Sequence, residues 1–254
     1  MISRLALALV LAPALSAVAC AQSGSGEPAQ QHAQSRAPVR AHGEAEARKA
    51  RSEAVLRAEG VPILPSLPAI ETAGESRRRQ AEEVGNRAVG LVLVMLKALM
   101  APPEKVDSIA RIYGAERFLT PAERAFVAKA EPTGEELAQF SWRAESACVL
   151  LWSIGYLPDP GRPTSECNAR KILSALTSRT PESFYRDARL RPQAQLLDAA
   201  DLIYRYHWAT EDATLHGRPV PAGLNADVVA ERHYALNWLI GYEDQEWDDI
   251  TTDT

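Results

Sequence analysis

The chain has 254 residues, of which 46% are hydrophobic and 24% charged, enough apolar material for a packed core in one or two domains. Its formal net charge of −5 leaves no electrostatic footprint for nucleic acid or for an acidic membrane surface, so no nucleic-acid partner is expected. The one basic cluster, Arg77-Arg78-Arg79, is followed by Glu82 and Glu83 and reads as a solvated helix face.

The N-terminus has the layout of a secretory signal. Arg4 supplies a positive start, Leu5 to Leu15 is almost wholly apolar, and the small residues Ser16 to Ala19 follow. Such a run is too short for a mature membrane span, which needs about 20 apolar residues. Ala17-Val18-Ala19 ahead of Cys20 resembles a bacterial lipobox, with Ala17 where leucine is usual. Ala19-Cys20-Ala21 also fits ordinary small-x-small cleavage. The position of the cysteine favours lipidation at Cys20, hence an exported, periplasmic lipoprotein anchored to the membrane. Residues 1–20 are then the signal peptide. Residues 21–43, rich in Ser, Gly, Gln, Ala and Pro, bury too little to offset ordering entropy and read as a disordered tether.

From Glu44 to the end, residues 44–254 read as one mostly helical globular domain, an all-α fold. Ala, Glu and Arg dominate to Glu59, where Gly60 and Pro62 stop the helix. Val61 to Pro68 is an extended connector. A long helix is expected from about Glu75 to Met100, with Val84, Ala88, Leu91, Met95 and Leu99 on one face and Pro102-Pro103 ending it. Thr120-Pro121-Ala122-Glu123 and Thr133 with Glu136 carry capping-box spacing, and Thr180-Pro181 marks another start. Trp142 to Ile154 is apolar at helical period, with Gly155 as its stop. Further helices are expected near Asn168–Leu176, Gln193–Ala209 and Asn225–Leu239. No segment alternates as a strand would.

The polar residues of the last two helices are the candidate site. Asp198, Asp201, Arg205 and Trp208 share one face. Either they line a pocket for a polar ligand, or Arg205 neutralises Asp201 and Trp208 packs beside them; the second reading is favoured. On the last helix Glu231, Ala235 and Trp238 share a face, Arg232 and Leu236 a second, His233 and Asn237 a third. Residues two apart diverge by about 200°, so Glu231 and His233 do not converge on one ion. His207 with Glu211 is a lone i,i+4 pair. No metal site or cofactor is expected from these spacings. The two helices are expected to pack through a charged and aromatic seam, with Arg205 meeting Asp201 or Glu231, and Arg232 meeting Asp198 or the tail acids. Glu243 to Thr254 reads as a solvated acidic tail, with Trp247 as a possible anchor. Export permits a disulfide between Cys148 and Cys167, although burial of Cys148 as a small hydrophobe is the favoured reading.

A family resemblance rests on Gly60-Val61-Pro62 with Leu67-Pro68, on Leu119-Thr120-Pro121-Ala122-Glu123, and on Trp142-Arg143-Ala144-Glu145 with Leu150-Leu151-Trp152. It continues through Leu190-Arg191-Pro192, Asp198-Ala199-Ala200-Asp201-Leu202, Tyr204-Arg205-Tyr206-His207-Trp208, the run Glu231 to Leu239, and the ending Trp247 to Thr254. On these residues the chain, from about Arg51 to Thr254, resembles a bacterial family defined only as the domain of unknown function numbered 4272. The resemblance implies a helical domain and no activity.

Hydrolase, phosphate-loop and Cys-x-x-Cys motifs are absent. The leading expectation is therefore a tethered envelope protein that binds an unidentified protein or small molecule. The alternative is an enzyme drawing acid–base groups from Asp198, Asp201, His207, Glu231 and His233. A shared open cleft would favour the enzyme; pairing with arginines in the core would make the residues structural.

Overall fold

A computed structural model describes residues 29–254, with side chains from His42 onward; the segment expected to be a signal peptide, with Cys20, lies outside the described residues. The described residues contain ten α-helices and no strand, in agreement with an all-α fold. These are α1 (Ala29–Glu59), α2 (Ala81–Ala98), α3 (Pro103–Tyr113), α4 (Pro121–Ala128), α5 (Gly134–Ser141), α6 (Arg143–Ser153), α7 (Ala169–Thr177), α8 (Pro181–Asp187), α9 (Gln193–Leu215) and α10 (Ala226–Ile240). Residues 38–254 form one compact unit.

Most helix starts follow the local chemistry. The Thr120 hydroxyl accepts from the Glu123 amide, and the Glu123 carboxylate accepts from the Thr120 amide at 3.0 Å; Thr133 and Glu136 repeat the exchange. Asn168, Thr180 and Asn225 accept first-turn amides of α7, α8 and α10, satisfying donors that have no partner inside the helix. Several boundaries differ from expectation: α2 begins at Ala81 rather than near Glu75, and α9 runs to Leu215 rather than Ala209. The helix α1 begins at Ala29 rather than near Glu44; Ala and Gln after Ala29 favour helix, while Pro38 and Gly43 within the stretch hide the start from the sequence. The helix α2 stops at Ala98, just ahead of Pro102-Pro103, and Pro103 also occupies the first turn of α3, where a missing N–H costs no bond.

At the centre lies α2. It is apolar on every face from Ala88 to Leu96, and a helix of that kind must be covered all round. Its main partner is α6, with α3, α4, α5, α7 and α8 also against it. In turn α10 packs on α6, and α9 on α10. The helix α1 reaches α9 through side chains: Arg51 donates to Asp198 at 2.7 Å, and the Tyr206 hydroxyl donates to Glu59 at 2.6 Å.

Three expectations are corrected. Arg77-Arg78-Arg79 is not a solvated helix face but an extended strap ahead of α2. The buried Arg79 donates to the carbonyls of Trp238 (3.1 Å) and Gln245 (2.8 Å) and lies over the Trp238 ring at 4.6 Å. The acidic ending is not a free tail. Trp247 is buried between Arg87, Tyr234 and Trp238, and Asn237 Nδ2 donates to the Thr251 carbonyl at 2.8 Å. Arg79 also pairs with Glu83 at 2.8 Å, and Arg77 with Asp244 at 3.3 Å, but charge patterning missed the burial of both segments because the groups that bury them are carbonyls and rings. Finally, Cys148 and Cys167 form a disulfide, with Cα atoms 6.4 Å apart. Packing of α7 on α6 brings the loop carrying Cys167 back to α6, a juxtaposition that sequence spacing does not encode.

Candidate functional site

The packed pair α9 and α10 holds every candidate residue, but the structure separates them into distinct groups. Asp201, fully buried, takes both Nε and Nη2 of Arg205 at 2.9 and 2.8 Å, the expected i,i+4 pair. Arg205 also donates to the Pro68 carbonyl at 3.0 Å. The pair therefore ties α9 to the connector and lines no open site. Trp208 is partly buried against the core. Asp198 faces α1 and pairs with Arg51, not with Arg232. Glu231 takes Arg143 at 2.8 Å and the Ser146 hydroxyl at 2.6 Å, both from α6. Arg232 instead pairs with the buried Glu145 at 2.9 Å and donates to the Gly161 carbonyl at 2.9 Å. Its expected partners were wrong because α10 presents that face to α6 rather than to α9. Two faces of α10, those of Glu231 and Arg232, thus meet α6, and the third, that of His233, meets α9.

What α9 and α10 do bring together is the two histidines. His207 Nδ1 and His233 Nδ1 stand 2.8 Å apart across the seam, both buried. His207 Nε2 looks outward to Glu211, 3.5 Å away on the next turn, whose side chain is 57% exposed. Burial, opposed by Glu211, lowers the affinity of His207 for a proton. Burial and the adjacent His207 push His233 down to about 3, so both rings are neutral at pH 7. Sequence spacing reveals His207 with Glu211. It cannot reveal His207 with His233, which depends on the register of two helices separated by a 3-10 turn and a loop.

His233 also lines an open cavity of about 660 Å³. Tyr204, His233 and Asn237 form its floor from α9 and α10. Pro68 to Thr72 and Glu75, from the connector and the non-helical stretch that continues it to α2, form one wall; Tyr242 and Asp253 of the ending form another, and His42, Ala45 and Glu46 of α1 close it. Carboxylates dominate its polar lining. Burial raises the Glu71 carboxyl above the usual range; repulsion from Glu75 and Glu243 adds to this, while its own backbone hydrogen bond and Arg48 oppose it. Glu75 is lowered by hydrogen bonds from the Thr72 amide and hydroxyl, at 2.9 and 2.8 Å. Burial raises both Tyr204 and Tyr242, so the phenols stay protonated. Among the described residues there is no group of three or more His, Cys, Asp or Glu side chains placed to hold a metal ion. The connector and the ending, which supply most of this lining, carried no candidate in the sequence reading. Their signal was faint: acids beside prolines in one, and acids beside a tryptophan in the other.

A single compact all-α unit, with a two-helix histidine seam opening on an acidic cavity, is the class of protein these features define. The sequence pattern of the family described as Domain of unknown function (DUF4272) matches residues 48–250, and the chain belongs to that family. No curated protein and no solved structure gives a significant match.

Proposed function

We propose that this chain is an exported envelope protein, held at the membrane by lipid on Cys20, whose helical domain binds a small protonated amine in the cavity between α1, the connector and the α9–α10 seam. The observation that carries the ligand reading is the lining itself. Glu46, Glu71, Glu75 and Asp253 surround a floor of Tyr204 and the buried His233. Carboxylates accept from an ammonium, and a tyrosine face attracts a cation by about 0.5–2 kcal/mol. Binding with no chemistry is preferred to the enzyme alternative because Asp198, Asp201 and Glu231 are each occupied by an arginine. Support for export and lipidation comes from the order of residues around Cys20.

Calorimetric titration with 1,4-diaminobutane tests the ligand. Saturable binding that weakens about tenfold or more in Glu71→Gln is expected, the loss of one charge-assisted contact. Absence of binding, or equal binding by the variant, overturns the reading. Mass spectrometry of the protein from its host tests the anchor: a diacylated chain beginning at Cys20 is expected, and an unmodified chain beginning at Gln22 overturns it.

A further inference from the structure

The histidine seam links the cavity to the surface, and that link has a direction. A hydrogen bond between two neutral imidazole nitrogens needs one donor and one acceptor, so the Nδ1 pair admits two arrangements. In the first, His207 carries its proton on Nε2, facing Glu211, and its Nδ1 accepts from His233 Nδ1–H. His233 Nε2 then bears a lone pair. In the second arrangement all three positions invert: His207 Nε2 presents a lone pair to the Glu211 carboxylate, and His233 Nε2 carries a proton.

The choice between them falls to whichever charge lies nearest. Among the described residues, Glu211 is the one carboxylate within 4 Å of either ring, at 3.5 Å from His207 Nε2. The cavity acids Glu71, Glu75 and Asp253 make no such contact with His233. Asn237, one turn along α10, favours a proton on His233: its Nδ2 donates to the Thr251 carbonyl, which leaves Oδ1 as the acceptor, but the amide is neutral. A full charge against a lone pair outweighs that dipole.

We infer that Glu211, which does not line the cavity, sets its hydrogen-bonding polarity through His207, fixing His233 Nε2 as an acceptor toward whatever occupies the cavity. Glu211 is a positioning residue acting across two imidazoles. The inference deepens the amine reading and rests on it only for the identity of the ligand. An acceptor at His233 belongs with a donor-rich ligand, and the surface carboxylate holds it in that state before any ligand arrives.

The test reads the tautomer directly. Long-range proton–nitrogen correlation spectra of the ligand-free protein at neutral pH are expected to show His233 protonated on Nδ1 and His207 on Nε2. Glu211→Lys places a donor against His207 Nε2 and is expected to invert both tautomers. Glu211→Gln, which can accept or donate, is expected to give a mixture. Because Glu211 is exposed, the melting temperatures of all three proteins should agree. A wild-type His233 protonated on Nε2, or tautomers unchanged in Glu211→Lys, overturns the inference. In the diaminobutane titration Glu211→Lys is expected to bind about tenfold or more weakly, with Glu211→Gln intermediate. Wild-type tautomers as expected but no amine binding would overturn the proposed ligand and leave the role of Glu211 standing.

Discussion

At the scale of single residues, the consequence of an acid depends on what it faces. Asp201 is fully buried with its two oxygens on Arg205; removing it leaves a buried guanidinium without its counter-charge. Asp201→Ala is expected to destabilise by about 3–5 kcal/mol. Asp244 meets Arg77 with both side chains about 70% exposed, so Asp244→Ala should change stability by less than about 1 kcal/mol. Thermal melts of the two variants check this, and equal small shifts would show Asp201 to be free for a ligand. Glycines give a second contrast. Gly241 ends α10 at φ +71°, and a Cβ there would lie 2.5 Å from the Arg77 carbonyl oxygen; Gly217 has φ +62° with open space around it. Gly217→Ala therefore bears only left-handed strain, about 1 kcal/mol. Gly241→Ala must in addition displace the strap that buries Arg79, and is expected to cost at least about 2 kcal/mol more in urea unfolding.

Elements show how far one sequence can be read. Helix starts set by Thr120, Thr133, Asn168, Thr180 and Asn225 were legible because a cap is a local event within four residues. The Arg205–Asp201 pair was legible for the same reason. The Arg143–Glu231 and Arg232–Glu145 pairs were not, because each joins α6 to α10 across more than eighty positions of sequence. The histidine pair belongs with these long-range contacts, and it has a measurable consequence. Above about pH 7.5 both rings are neutral whether the chain is folded or not, and they contribute no pH dependence. Below that, the unfolded chain takes up protons that folded His233 refuses until about pH 3, so stability falls as the pH falls. Each ring contributes a slope of up to about 1.4 kcal/mol per pH unit. Exposed carboxylates with lowered proton affinity, such as Glu136 and Asp187, act only at lower pH. Glu71, raised by burial, works in the opposite sense and makes the observed slope shallower. Urea unfolding at pH 7.5 and pH 5 should show the loss, and His207→Gln/His233→Gln should remove most of the difference. A flat wild-type profile would mean that the seam admits water or a proton at little cost.

For the molecule as a whole, the question is where the folded unit begins. From residue 42 on, the first side chain of α1 to be buried is Ala45, followed by Arg48, Ser52, Glu53 and Leu56. Arg48 donates to the Glu71 carbonyl at 3.0 Å and stands 3.6 Å from Asp198, holding α1 to both the connector and α9. Glu59 at the end of α1 takes Tyr206 and Arg162. The second half of α1 is thus part of the core and forms one wall of the cavity. A chain beginning at Glu44 is expected to melt within about 2 °C of the mature protein, a difference below about 1 kcal/mol for a domain of this size. A chain beginning at Gly60 loses Leu56, the Arg48 and Arg51 contacts to Asp198, and the acceptor for the Tyr206 hydroxyl. Truncating one buried leucine alone costs about 2–5 kcal/mol, a large part of the roughly 5–15 kcal/mol that holds a domain folded. The shorter chain should therefore lose its cooperative transition or melt at least about 10 °C lower. Circular dichroism melts of the two chains decide the point. A large loss in the Glu44 chain would place essential packing in the segment before it, and that segment would then belong to the domain instead of serving as its tether.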